Sequence, residues 1–238
     1  MNLIHPSYEI ITKIDGEAIL KKLEMAGRVC WASSPKGDSA EQFCKMILGK
    51  KHESVIEHES LTIKFIVSRS FTHELVRHRL ASFSQESTRY CNYNKKGLDF
   101  IIPTWMNLTS GNYKDVVDDS FLASYHRIYC NDEIFYGNND ESNIDEWSFI
   151  NYLLEVEDLY NHYIKNGRSP QEARAILPNC LKTTIVMTAN LREWKLVLKL
   201  RTDKSAHPEM RQIMCPLLEE LKGKVPVIFD QIGENSNV

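Results

Sequence analysis

KTTIVMTANLREWKLVLKLR, residues Lys182 to Arg201, changes character halfway along its length. Lys182 to Ala189 is dense in β-branched residues and predicts a strand. Asn190 with Glu193 then predicts a cap pair opening a helix that runs through Arg201, with Trp194 and Leu198 in its core face. Asn190 therefore sits at a strand-to-helix turn. A second junction of the same kind lies upstream. Leu61, Ile63, Phe65 and Val67 alternate with Thr62, Lys64 and Ile66 as a strand, and Ser70 caps a predicted helix through Phe71, Leu75 and Arg79.

Working outward, Tyr8 to Lys13 reads as a strand and Gly16 to Arg28 as a helix with Ile19, Leu20, Leu23 and Ala26 on one stripe. Asp38 and Ser39 precede a second helix, in which Glu41 or Gln42 completes a capping box and Phe43, Ile47 and Leu48 face inward. Met106 to Asp119 and Gly137 to Asp145 read as surface insertions around a helix near Ser120 to Ile134. Phe149 to Tyr163 has helical spacing closed by Asn166-Gly167, and Ser169-Pro170-Gln171-Glu172 opens a helix that stops before Pro178. Pro208 to Lys222 supplies a last helix, bent at Pro216, and the tail after Gly233 frays. Without repeat or linker, the economical reading is one α+β domain over residues 1–238.

Composition bounds the function classes. A chain of 238 residues, 42% hydrophobic, is long enough to bury one substantial core. Its net charge of −3 gives no general attraction to nucleic acid or anionic membrane, so anion binding must come from local clusters of Arg and Lys. No run approaches the ~20 apolar residues that cross a bilayer, which predicts a soluble, cytoplasmic protein. Six cysteines without a CxxC pair predict reduced thiols rather than a zinc site or disulfide framework. His52-Glu53 and Glu57-His58 space their histidines six apart, not the four that share a helical face, so no metal is expected. None of the glycines forms GxG, which argues against a Rossmann dinucleotide site, so a dinucleotide cofactor would need a different arrangement.

Chemistry concentrates in ELVRHRLASFSQESTRY, residues Glu74 to Tyr90. Arg77, Arg79 and Arg89 with His78 surround Ser82, Ser84, Gln85, Ser87 and Thr88. Guanidiniums bind phosphate bidentately, and hydroxyls and turn amides complete an anion cage. The plain alternative is a solvated helix end with surface arginines. The ordered pattern Arg77-His78-Arg79, seven residues, Ser87, then Arg89-Tyr90 resembles the signature of the flavin-dependent thymidylate synthases. Lys51-His52-Glu53-Ser54, Glu57-His58, Glu172 to Pro178, Asn190-Leu191-Arg192-Glu193-Trp194 and Leu200-Arg201 resemble further blocks of that family, in order, over roughly residues 50 to 215.

The resemblance implies an α+β fold with a central, mostly antiparallel sheet packed by helices, assembled as a homotetramer. It implies FAD contacts from Ser54, Arg77, His78, Arg79, Gln85, Asn190, Leu191, Arg192 and Leu196. It assigns Glu74, Arg77, Gln85, Glu86, Ser87, Thr88, Arg89, Arg174 and Arg201 to dUMP, with Arg201 catalytic. The implied co-substrates are NAD(P)H and methylenetetrahydrofolate. Ser84-Gln85 stands where Asn-Glu is common in the family, Glu74 where Gln is frequent, and Leu196 where a polar residue often meets the flavin. A Leu there can pack but cannot hydrogen-bond.

Cys180, just after Pro178-Asn179, invites comparison with thymidylate synthases that use a thiol. A buried, inert thiol before a strand is the commoner state of such a residue. Two other readings stay open: a related pyrimidine nucleotide C5 methyl- or hydroxymethyltransferase acting on dUMP or dCMP, and a non-catalytic nucleotide- or RNA-binding module using the Arg cluster with Tyr90 and Tyr93.

Overall fold

The computed structural model describes residues 1–118, 125–136 and 144–233. Along the chain run β1 (Asn2–Ile4), β2 (Ser7–Ile10), α1 (Gly16–Val29), α2 (Ala40–Gly49), β3 (Ser60–Ser68), α3 (Arg69–Leu75), β4 (Ala81–Gln85), β5 (Asp99–Ile101), β6 (Gly111–Asp118), β7 (Tyr125–Cys130), β8 (Glu133–Tyr136), α4 (Ile144–Lys165), α5 (Pro170–Ala173), β9 (Lys182–Asn190), α6 (Leu191–Arg201), α7 (Pro208–Lys224) and α8 (Pro226–Phe229). The fold is mixed α/β, and its strands form two sheets where the sequence suggested one. The described residues group into two compact units. The first takes Met1–Pro6, Ile66–Thr72 and the segment from Gln85 to Thr184; the second takes Ser7–Phe65, His73–Ser84 and the chain from Ile185 on.

The first unit holds a five-stranded sheet in the order β5-β1-β6-β7-β8. β1 runs parallel to β5 and antiparallel to β6, and β6, β7 and β8 form an antiparallel meander. Leu3, Phe100, Tyr113, Ile128, Leu153 and Tyr160 share one buried cluster, to which α4 contributes Ile150, Leu153, Val156 and Tyr160 from a single face. Gly167, at φ 83°, takes the left-handed conformation that follows α4 at almost no steric cost.

This region corrects the predicted helix near Ser120 to Ile134. Residues 125–136 are the strands β7 and β8, joined by Asn131-Asp132 at φ 52° and 68°. Two consecutive left-handed residues make the tight turn whose twist matches a hairpin, and Asn and Asp tolerate that region best after Gly. Burial of Ile128 and Cys130 on alternate positions shows that the two-residue period won over the helical one. Gly111–Asp118, expected as part of a surface insertion, is β6, and it buries Tyr113 completely. Residues 120–124 of the predicted helix, 137–143 of the second insertion and the tail at 234–238 lie outside the described residues.

The second unit carries most of a four-stranded sheet in the order β2-β3-β9-β4, together with α1, α2, α6, α7 and α8. Leu61, Ile63 and Phe65 are fully buried while Thr62 and Lys64 are partly exposed, as the alternation predicted. Trp194 of α6 is also fully buried; its indole N–H donates to Leu61 O at 3.0 Å, and its ring lies 6.4 Å from Phe65. The indole thus gains both its apolar burial and the partner its N–H requires. β3, β4 and β9 each contain residues of both units, so the chain passes between units within strands. α7 continues through Pro216. Among the described residues, no helix is long and apolar enough to cross a membrane.

Three caps differ from expectation. Ser39 does not cap α2: its hydroxyl donates instead to the buried Glu24 carboxylate at 2.5 Å, beside Arg28, which leaves no capping box with Glu41 or Gln42. Ser68, not Ser70, accepts the Phe71 N–H at 3.1 Å, so α3 starts at Arg69 and ends at Leu75, short of Arg79. Asn190 Oδ1 accepts the Glu193 N–H at 2.9 Å and opens α6 as predicted, but the Glu193 carboxylate turns into the protein instead of completing the pair. The box at Ser169 and Glu172 is complete.

Candidate functional site

In the second unit, the short α3 ends at Leu75 and the chain turns through residues 76–80 before β4. Arg77 and Arg79 are exposed on that turn, while His78 between them is buried, with 6% of its surface accessible. Neither arginine holds an ion pair among the described residues. His78 faces two side chains of α6. Arg201 Nε donates to His78 Nε2 at 3.1 Å, and Glu193 Oε1 lies 3.4 Å from His78 Nδ1. Arg201 is also held by Glu74 twice: Nη1 donates to Glu74 Oε2 at 2.6 Å and Nη2 to Glu74 O at 2.9 Å. Three of its five N–H groups are engaged, leaving one on each terminal nitrogen.

Burial, and after it the Arg201 charge, push the His78 imidazole down to about 4, while burial raises the Glu193 carboxyl. The His78–Glu193 approach is therefore not an ion pair. A guanidinium can only donate, so Nε2 must offer its lone pair, and a neutral ring then carries its single proton on Nδ1. Glu74 and Arg201, assigned from sequence to dUMP, and His78, assigned to FAD, form one connected group. Glu193 was missed as a member. Its signal was spacing: it stands four residues before Val197 and eight before Arg201, on the face of α6 that buries Trp194 and Leu198.

The rest of the predicted flavin set in this unit is mostly exposed. Ser54 lies in a 3-10 turn, Glu53–His58, and Arg192 beside it pairs with Glu57 at 2.6 Å. Glu53 pairs with Lys195 at 2.7 Å, so both carboxylates near His52 and His58 are taken by cations. Leu191 is buried. Leu196 and Leu200 are half exposed on the outer face of α6, in line with Arg192, and Leu80 on the turn is 75% exposed. Leu196 is thus surface, not core.

The first unit gathers the remaining residues around the turn after β4. Gln85 Nε2 donates to Thr72 Oγ1 at 2.9 Å and Thr183 Oγ1 at 3.3 Å. The Glu86 carboxylate accepts from Lys182 Nζ at 3.1 Å and the Tyr93 hydroxyl at 3.0 Å. Burial works against ionisation of Glu86, but Lys182 and Tyr93 outweigh it and hold the carboxyl below its ordinary value. Those two partners leave Glu86 as a brace for the turn. Ser87 Oγ accepts the Arg89 N–H at 3.2 Å, and Thr88 Oγ1, buried, accepts from Arg174 Nη1 at 3.2 Å. Arg89 and Arg174 are both exposed, Arg89 with its guanidinium 5.5 Å from the Tyr90 ring centroid. The exposed guanidinium of Arg89, the hydroxyls of Ser87 and Thr88, and the guanidinium that Arg174 brings to Thr88 from a distant part of the chain suit a phosphate. Cys180 is partly buried.

The chain matches the family model described as thymidylate synthase complementing protein over residues 14–227. It is 30% identical over 230 residues to a flavin-dependent thymidylate synthase of Corynebacterium efficiens, covering 94% of this chain and 84% of that one. Two solved structures share its fold. A UMP/dUMP methylase, PolB, from Streptomyces cacaoi, bound with 5-Br dUMP, has a TM-score of 0.71 at 22% identity, over 97% of this chain and 96% of that one. Thymidylate synthase X from Helicobacter pylori, with FAD and dUMP, has a TM-score of 0.64 at 20% identity, over 97% and 100%.

Proposed function

This chain belongs to the flavin-dependent thymidylate synthase family, and from that membership we propose that it methylates dUMP at C5 to give dTMP. Methylenetetrahydrofolate is the carbon donor and NAD(P)H the reductant. FAD, when bound, supplies the hydride equivalents of the reduction. The exposed groups of the second unit fit such a cofactor: Arg77, Arg79 and Arg192 match a pyrophosphate, and Leu80, Leu196 and Leu200 match apolar ring surface. Ser54, Gln85, Asn190 and the buried His78 and Leu191 complete the flavin set that the family pattern gives. The Arg192–Glu57 pair is solvent-exposed and costs little to exchange for a phosphate.

The observation that carries the reading is the held fork of Arg201. Without an enzyme thiol adding to the base, C5 becomes nucleophilic only if negative charge is pushed into the uracil, onto N3 and its flanking carbonyl oxygens. Arg201, fixed by Glu74 and His78 and retaining one N–H on each terminal nitrogen, offers preorganised donors to that edge. Ser87, Thr88, Arg89 and Arg174 take the phosphate, and Gln85, held by Thr72 and Thr183, presents its amide oxygen to the ligand. We read the whole chain as one such domain acting as a homotetramer.

The test is a visible-absorbance titration of the purified protein with FAD, followed by turnover of dUMP beside UMP and dCMP. Micromolar FAD binding and preferential dTMP formation are expected. An intact fold that ignores FAD, or that turns over dCMP in preference to dUMP, overturns the proposal. Light scattering should give the mass of four 27.6 kDa chains.

A further inference from the structure

We propose that Glu193 is a positioning residue for the reaction: it holds the proton of His78 on Nδ1, so that Nε2 accepts from Arg201 and keeps the guanidinium in register. The inference rests on the reading of Arg201 as the group that polarises the pyrimidine.

Two contacts of His78 decide the matter together. In the tautomer protonated on Nε2, that N–H would face the Arg201 Nε–H across 3.1 Å, donor against donor. Nδ1 would then turn a lone pair toward Oε1 of an ionised Glu193 at 3.4 Å, acceptor against acceptor. Shifting the proton to Nδ1 makes both contacts attractive. Which ring nitrogen carries the proton is set by what the other nitrogen meets. Here Glu193 supplies the acceptor that makes the Arg201 contact possible.

Glu193 has no simpler reason to be where it is. An acid in the first turn of α6 suits the helix dipole, but that benefit is available at the surface, and Glu193 is 5% exposed. Burying a carboxyl costs several kcal/mol unless it is compensated, so an apolar residue at this inward position would suit packing better. Nothing assigned from the family pattern includes this residue. The arrangement is a relay of orientation: the carboxyl sets the tautomer, the tautomer sets the guanidinium, and Glu74 anchors its other side.

Nitrogen NMR of selectively labelled histidine in the FAD-loaded enzyme tests the first link, with the His78 signal assigned by its loss in His78→Gln. Protonation on Nδ1 is expected; protonation on Nε2 overturns the proposal. Glu193→Gln retains an acceptor oxygen for Nδ1–H and Glu193→Leu does not. Release of tritium from C5-labelled dUMP should therefore stay within about threefold for Gln and lose at least about tenfold in kcat for Leu, with the dUMP KM and the flavin spectrum little changed. A Leu variant with undiminished kcat, or a Gln variant as impaired as Leu, overturns it. If Glu193→Leu does not fold, the Gln variant decides: a preserved tautomer and kcat support the relay, and a shifted tautomer at normal kcat sinks it. Should Arg201→Lys leave tritium release untouched, the role of Arg201 fails, and the histidine signal still reports separately on Glu193.

Discussion

Glu74 grips Arg201 at two points, carboxylate to Nη1 at 2.6 Å and main-chain carbonyl to Nη2 at 2.9 Å, at the end of a helix where a cation could have been merely a dipole partner. A helix-end charge is worth well under ~1 kcal/mol on an exposed surface. Arg201→Lys keeps the charge and loses the planar fork, since one ammonium cannot reproduce contacts spread over three nitrogens. Tritium release from C5-labelled dUMP should fall roughly a hundredfold or more in a folded, yellow protein, comparable to removing one preorganised donor from an oxyanion site. Near-normal release would return Arg201 to a helix-end charge.

Phosphate capture gives a second prediction. Arg89 is exposed and, among the described residues, its guanidinium meets the Tyr90 ring and forms no ion pair, so its loss should not disturb the turn. Arg89→Ala should weaken dUMP binding by about ten- to hundredfold, the value of a charge-assisted contact of roughly 1.5–3 kcal/mol. Calorimetry with dUMP measures this, and FAD affinity should be unchanged. Unaltered dUMP affinity would remove Arg89 from the site.

Cys180 separates the two thymidylate chemistries. Cys180→Ala should retain substantial dTMP formation, because the reaction proposed here adds no enzyme thiol to the base. A folded variant that has lost several orders of magnitude would favour a nucleophilic cysteine.

Acid stability follows from His78. Its imidazole is pushed down to about 4 in the folded chain, against 6.5 when unperturbed. Between those values the unfolded chain binds the proton and the folded chain does not, so stability is fully present above about 6.5 and lost as pH falls toward 4. The full difference is roughly 3 kcal/mol at most. Glu193, raised by burial, acts oppositely: the folded chain holds its proton longer, so its share of stability declines as pH rises above the usual carboxylate range. Urea unfolding from pH 7 to 4 should therefore show a steeper acid loss in the native protein than in His78→Gln. Equal slopes would mean that His78 is not held neutral.

Helix spacing supplies the last prediction. A Cβ on Gly27 would lie 2.7 Å from Cε1 and Cζ of Phe43 and 3.2 Å from Val55 Cγ1. Gly→Ala within a helix gains roughly 0.5–1 kcal/mol in propensity, but overpacking a core typically costs about 1–3 kcal/mol. Phe43 is buried under Arg28 and Trp31, so it has little room to give, and Gly27→Ala should lower Tm by a few degrees. A raised Tm would show that α1 and α2 separate freely.

How much of this was legible before the coordinates depended on whether the signal was local. β3, β9 and α6 were readable because Leu61, Ile63 and Phe65 alternate and because Asn190 caps within three residues of itself. The β7–β8 hairpin was not, because Asn131-Asp132 was absorbed into a helical reading, although an Asn-Asp pair is a turn signal. Ser39 shows the other limit. Its sequence context is that of a cap, but Glu24, fifteen residues away, captures its hydroxyl. At the site, the motif located Glu74, His78 and Arg201, while their joining to Glu193 needed α6 folded against the turn at 76–80. Lys182 and Tyr93 as partners of Glu86 are likewise contacts between residues far apart in sequence.

The strands β3, β4 and β9, each shared between the two compact units, bear on how this protein can vary. Every contiguous stretch of gene that encodes all of one unit also encodes pieces of the other. Neither unit can be exchanged by a simple recombination event or expressed as a clean fragment. The turn after β4 in one and the Arg201 group in the other are inherited together, and change in either must come by substitution within the whole.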